Sequence, residues 1–242
     1  MELFNALIEW DRELLVNINS LNAPFWDNIM WWISDRFVWI PLYLSIVFFL
    51  FKIKGKDAMI GALAVGLCIL IADQVASGFC KPFFERLRPT HDPQLKDILH
   101  IVNDYRSSLY GFCSSHASNT FGIATLTCLL FRNRWYAALI FSWALLNCYS
   151  RMYLGVHFPL DIICGALVGV AAGYISYYLY KYTVCKFHYF KADSGVMTNK
   201  QVLCIGAVYL LTFALIYKAK ISYAFFRKLA ILTYAIELLF VS

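Results

Sequence analysis

Three short stretches of the chain bring together side chains suited to holding an oxyanion and attacking it. The first is Lys81-Pro-Phe-Phe-Glu-Arg-Leu-Arg88-Pro89. Arginine offers a planar fork that matches phosphate oxygens, and lysine a compact positive charge. The second is Phe112-Cys113-Ser114-Ser115-His116-Ala117. Ser114 is placed to cap a helix whose first N–H groups point outward, and such a helix start attracts anions. His116, in the first turn, is a candidate proton donor. The third is Ser150-Arg151-Met-Tyr-Leu-Gly-Val-His157-Phe-Pro-Leu-Asp161. His157 and Asp161 are four apart, which puts them on one face if both are helical. Asp161 then holds one imidazole nitrogen and orients the ring. Each stretch has a plain alternative. Basic residues at a helix end snorkel to headgroups, a Ser-Ser-His start is a common N-cap, and a His-Asp pair in a membrane helix serves a proton-coupled transporter.

These residues must be positioned by apolar helices. Of 242 residues, 61% are hydrophobic and only 15% charged, with a mean hydropathy of +0.61. Soluble domains carry about 25% charge, so the chain reads as a membrane protein. Apolar runs at about 36–52, 57–79, 115–131, 135–153, 158–180 and 201–217 predict an all-α bundle of about six transmembrane helices, roughly 20 residues per crossing. A further run at 229–241 contains Glu237 and is short, so whether it spans is open. Residues 3–18 place Leu3, Leu7, Trp10, Leu14 and Ile18 at helical spacing, broken by Asp11, Arg12 and Glu13. This predicts an amphipathic helix over 1–20 lying on the membrane surface, with an ordinary packed helix as the alternative. Trp26, Trp31, Trp32 and Trp39 suggest an interfacial belt.

The whole of 1–242 reads as one membrane domain, with its core at 57–180 and C-terminal helices over 201–242. Lys52, Lys54 and Lys56 follow the first span, Arg132 and Arg134 the third, and Lys181, Lys186, Lys191 and Lys200 the fifth. Basic short loops face the cytoplasm, which puts residues 80–114 and 150–157 on the opposite side. The net charge of +6 fits those anchoring loops and an anionic substrate. No basic tract or nucleic-acid motif points to nucleic acid. The eight cysteines form no CxxC pair, which argues against zinc. Cys80 and Cys113 flank the candidate segments, and spacing alone leaves open whether they form a disulfide. Asp73 and Gln74 read as structural hydrogen-bonding groups inside the second span. Glu85, Arg86, His91 and His100 read as solvated loop residues, and His188 as remote from the chemistry.

Together the three stretches resemble the type 2 phosphatidic acid phosphatase superfamily, whose pattern is K-x6-R-P, then P-S-G-H, then S-R-x5-H-x3-D. The first and third motifs are complete from Lys81 to Pro89 and from Ser150 to Asp161. The second departs at Cys113, in place of Pro, and at Ser115, in place of Gly. The resemblance implies a metal-free and cofactor-free phosphohydrolase acting on a membrane lipid phosphate or pyrophosphate. It implies that His157 forms a phosphohistidine, that Asp161 orients it, and that His116 protonates the leaving oxygen. Lys81, Arg88, Arg151, Ser114 and the N–H of Ser115 would hold the nonbridging oxygens. Undecaprenyl pyrophosphate, phosphatidylglycerol phosphate or phosphatidate, and lipid A phosphates all fit. A bacterial inner-membrane location with a periplasmic site suits each of them. The competing reading is a proton-coupled transporter using His157 and Asp161.

Overall fold

The structure is a computed structural model, and the residues it describes are 2–187 and 195–219. The run at 229–241, the end of the predicted C-terminal region and His188 lie outside the described residues.

Backbone groups in hydrocarbon must find their partners within the segment, which favours helices. The described chain forms α1 (Glu2–Ser20), α2 (Pro24–Ser34), α3 (Ile40–Lys54), α4 (Ala58–Asp73), α5 (Lys81–Phe84), α6 (Ser115–Phe131), α7 (Arg134–Tyr153), α8 (Pro159–Lys186) and α9 (Asn199–Ala219). Gln74–Cys80 joins α4 to α5 as wider π-helical turns. Such bulges recur at functional sites; this one leads directly to Lys81. Among the described residues, three segments are long and apolar enough to cross a membrane. They are Arg36–Phe84, Pro159–Lys186 and Asn199–Lys218, with hydropathies of 2.1, 1.8 and 1.7. The first turns between α3 and α4 at Gly55, where φ is +56°. Leu63, Leu167 and Leu203 lie about two-thirds or more exposed on α4, α8 and α9. An apolar surface of that extent belongs against lipid. The chain is an all-α polytopic membrane bundle.

Close approach of α6 and α8 forms the centre of the bundle. A Cβ at Gly165 would sit 2.4 Å from the Ser114 carbonyl, at Gly169 2.2 Å from the Ser118 carbonyl, and at Gly173 2.7 Å from Thr125 Cβ. Glycines every fourth residue clear one face of α8 so that the α6 backbone can lie against it. Gly122 of α6 makes room in turn for Cys68 of α4.

Two expectations change. Trp39 is fully buried, not interfacial: its ring stacks on Tyr209 of α9 at 5.6 Å and meets Trp143 of α7 at 6.0 Å. Helix α9 covers it, a long-range contact that the tryptophan spacing did not encode. On α1, Leu3, Leu7 and Trp10 are exposed, as a surface helix requires, while Asp11, Leu15 and Asn19 are buried against the bundle. Its inward stripe is therefore partly polar, and those polar groups have partners. Asn19 Nδ2 donates to the Tyr153 carbonyl at 2.8 Å, and its Oδ1 accepts from the His100 N–H at 2.8 Å.

Candidate active site

The N-termini of α6 and α8 meet at one end of the bundle. The Ser114 N–H donates to the Asp161 carbonyl at 3.0 Å, locking the two helix starts together. Ser114 is the N-cap of α6, its Oγ accepting from the Ala117 N–H at 3.4 Å. Two helix N-termini side by side make an electropositive floor.

His157 does not lie on a helix. Pro159 opens α8, so Phe158 is the N-cap and His157 precedes it. The predicted same-face pairing of two helical residues is replaced by a capping arrangement. Asp161, in the first turn, accepts the Phe158 N–H at 3.1 Å on Oδ2, and the same oxygen lies 3.3 Å from His157 Nδ1. Arg88 Nη1 approaches His157 Nε2 at 2.8 Å and also donates to the Val156 carbonyl at 2.9 Å. Since guanidinium only donates, these partners assign the proton to Nδ1 and the lone pair to Nε2. His157 and Asp161 are both essentially buried. Burial, and then the charges of Arg88 and Arg151, hold the His157 imidazole well below its usual pKa, hence neutral.

Arg88 reaches this point because its loop is pinned. Leu87 bridges Tyr110, the Arg88 N–H donates to the Leu109 carbonyl at 3.0 Å, and the Gly111 N–H to the Arg86 carbonyl at 2.9 Å. A Cβ at Gly111 would meet Asp161 Oδ2 at 3.0 Å and Arg88 Cγ at 3.1 Å, so glycine lets this strand-like segment close on the site. Arg88 and Arg151 are both buried, and the Nε of each has no hydrogen-bond partner. Burial, and then Arg151, push Arg88 down to about 10, which leaves it charged at neutral pH. Arg151 Nη1 donates to Ser34 Oγ of α2. Lys81 Nζ donates to Ser77 Oγ at 3.0 Å and to Ser115 Oγ at 3.2 Å; Ser77 in turn donates to Asp73 at 3.3 Å. His116 and Ser115 line a cavity of about 480 Å³ that runs from here into the bundle. All eight predicted site residues thus gather around one point, with Lys81, Arg88, Arg151 and His116 close enough to act electrostatically on His157.

Other residues that the sequence places in solvent or in a span boundary join the site. Arg86, expected to be solvated, donates from Nη1 to Asp161 Oδ1 at 2.9 Å, pairs through Nη2 with Asp11, and lies over the Phe158 ring at 4.1 Å. Alternation in an extended segment puts Arg86 on the same side as Arg88, a signal that the sequence did contain. Asp11 of α1, read only as breaking a span, is fully buried and also accepts the Leu160 N–H at 2.8 Å. His100 is likewise held, 2.9 Å from Asp27. Tyr105 lies beside Arg151. Burial would raise its phenol, but Arg151 and Ser107 outweigh this and bring it below its usual pKa. Cys80 and Cys113 are free thiols, packed together beside Cys164.

A model of the PAP2 superfamily matches residues 59–185. The chain is 38% identical over 175 residues to the lipid A 4'-phosphatase of Bacteroides thetaiotaomicron, covering 72% of this chain and 78% of that protein. It is 40% identical over 177 residues to the lipid A 4'-phosphatase of Porphyromonas gingivalis, covering 73% and 75%. The crystal structure of Aquifex aeolicus LpxE superposes with a TM-score of 0.52 at 29% identity, over 68% of this chain and 92% of that one. These matches decide between enzyme and carrier, the two readings that the His157–Asp161 pair left open. The chain belongs to the PAP2 superfamily and is a membrane lipid phosphatase.

Proposed function

We propose that the protein dephosphorylates a lipid A-type glucosamine phosphate through a phosphohistidine on His157, without a metal ion. The observation that carries the mechanism is the buried His157 Nε2 lone pair beside two guanidiniums whose Nε–H groups have no partner. Two buried cations side by side are costly unless an anion joins them, and a phosphate dianion matches both forks. In the first step Nε2 attacks phosphorus and the ester P–O bond breaks. Arg88 moves its donor from Nε2 to a nonbridging oxygen, and Asp161 stabilises the imidazolium that forms. His116 supplies the proton to the leaving sugar oxygen. In the second step His116 takes a proton from water, the new P–O bond forms, the P–N bond breaks, and inorganic phosphate leaves. Lys81, Arg151, Ser114 and the Ser115 N–H stabilise the charge that many phosphoryl-transfer sites assign to Mg²⁺.

The substrate class is supported by the two relatives named as lipid A 4'-phosphatases. A periplasmic site is supported by Lys54, Arg132 and Lys181, which gather at the far end of the bundle. The test uses purified protein in detergent with EDTA. Phosphate release from lipid A should persist, and His157→Ala should reduce it to background. Turnover that survives the substitution, or that requires a divalent metal, overturns the mechanism.

A further inference from the structure

Arg88 and Arg151, the two guanidiniums proposed to hold the phosphate, are buried and close enough to act on one another, so their like charges repel. Ser34 of α2 and the Val156 carbonyl each accept one of their N–H groups. Further partners come from a loop segment outside the three motifs. Ser108 Oγ accepts from Arg88 Nη2 at 3.2 Å. Three residues earlier, the Tyr105 ring lies beside Arg151, with the guanidinium carbon 5.8 Å from the ring centroid. The phenol is within hydrogen-bonding reach of Arg151 and of the Ser107 hydroxyl. One loop thus sets a neutral hydroxyl against each of the two cations.

The loop is braced to keep these hydroxyls in place. Trp31 of α2 meets the Tyr105 ring edge to face, with centroids 5.2 Å apart and planes at 85°. Thr90, two residues after Arg88 and buried, ties the loop down in both directions. Its Oγ1 donates to the Arg106 carbonyl at 2.8 Å, and its carbonyl accepts from Arg106 Nη1 at 3.0 Å. Around Tyr105 the backbone is left-handed at Asn103, Asp104 and Ser107, with φ of +53°, +55° and +58°. Asparagine and aspartate tolerate that conformation, and serine does so less readily. Such backbone persists where surrounding contacts overdetermine it, and it gathers at ligand clamps. A tyrosine that only filled space against Trp31 would need its ring alone, yet its oxygen is set on a cation of the site.

We infer that Tyr105 is a positioning residue: its phenol oxygen, together with Ser108 Oγ, fixes the spacing and orientation of Arg151 and Arg88 and leaves their partnerless Nε–H edges for the phosphate. The inference rests on the phosphatase reading above and deepens it, because this control lies in none of the three motifs. Orientation of donors counts most where charge develops, in the transition state. The phenol therefore acts on kcat more than on KM.

The test compares wild type with Tyr105→Phe in dodecylmaltoside micelles. It reads kcat and KM for lipid A, and the dissociation constant of orthovanadate, whose five-coordinate form resembles the transition state. Phenylalanine keeps the ring against Trp31, so the melting temperature should be unchanged. Losing one hydrogen bond to a charged group should lower kcat about tenfold and raise the orthovanadate constant about tenfold, with KM within about threefold. Ser108→Ala should move both quantities in the same direction. In an Arg151→Ala background, Tyr105→Phe should leave the orthovanadate constant within about twofold, because the group through which it acts is gone. If no lipid is hydrolysed, the phosphatase reading fails, while the orthovanadate constants still decide the role of Tyr105. Unchanged kcat and orthovanadate affinity in Tyr105→Phe overturn the inference. So does an equal loss in the Arg151→Ala background, or a loss matched by a fall in melting temperature.

Discussion

At the scale of single residues, the site works by denying solvent to groups that would otherwise be ordinary. A histidine in water is partly protonated near pH 6.5 and poorly nucleophilic when charged. Here burial and two guanidiniums keep His157 neutral. This has a consequence for stability. Below about pH 6.5 the unfolded chain takes up a proton at His157 that the folded chain refuses, so folding loses free energy as pH falls. Thermal unfolding should occur at lower temperature at pH 5 than at pH 7, and His157→Gln should flatten that slope. A slope unchanged by the substitution would assign the acid sensitivity to other groups. Ser115 stands where the family pattern has glycine, and its hydroxyl receives Lys81 Nζ at 3.2 Å. Removing that oxygen frees the lysine from one anchor. Ser115→Gly should raise KM a few-fold and leave kcat within about threefold, because the backbone N–H remains. A large fall in kcat would mean that the hydroxyl itself reaches the reacting phosphate.

At the scale of elements, positions far from His157 set its geometry. Helix α1 carries Asp11 into the bundle, where it holds Arg86 and the start of α8, while Arg86 holds Asp161. A helix with Leu3, Leu7 and Trp10 exposed thereby fixes, through Arg86, the carboxylate beside His157. Asp11→Asn should lower kcat about ten- to hundredfold with KM little changed, and Asp11→Glu should recover part of it. Equal damage from both substitutions, moving KM and kcat together, would indicate a purely structural role. The α6–α8 contact is a second such element. A methyl at Gly169 would lie 2.2 Å from the Ser118 carbonyl, so the helices must separate. Gly169→Ala should cost about 1–3 kcal/mol of stability and pull apart the two helix starts, with a matching loss of activity. Wild-type activity and melting temperature in this protein would mean that the contact relaxes at no cost.

At the scale of the whole molecule, the bundle and most of its site were legible in the chain. Apolar runs separated by basic loops specify membrane helices, because hydrocarbon tolerates no other unpaired backbone. Lys81, Arg88, Ser114, His116, Arg151, His157 and Asp161 stand at spacings that match a known phosphatase pattern on three short segments. Contacts between elements distant in sequence were not legible. Nothing local marks Asp11 as the partner of Arg86, 75 residues away, or Ser34 as the partner of Arg151, 117 residues away. Whether a polar residue meets solvent or a buried charge depends on which helix packs over it. The same holds for Trp39, which α9 turns from a belt residue into core, and for the cavity beside His116, which exists only where α3, α4, α6 and Asn147 of α7 surround the same space. Sequence by itself determined the fold class and named the candidate reacting groups, since both follow from residue type and local spacing. Only the tertiary structure decided the tautomer of His157, the support behind Asp161 and the lining of the cavity beside His116. Each of these depends on which long-range neighbours exclude water from a given atom.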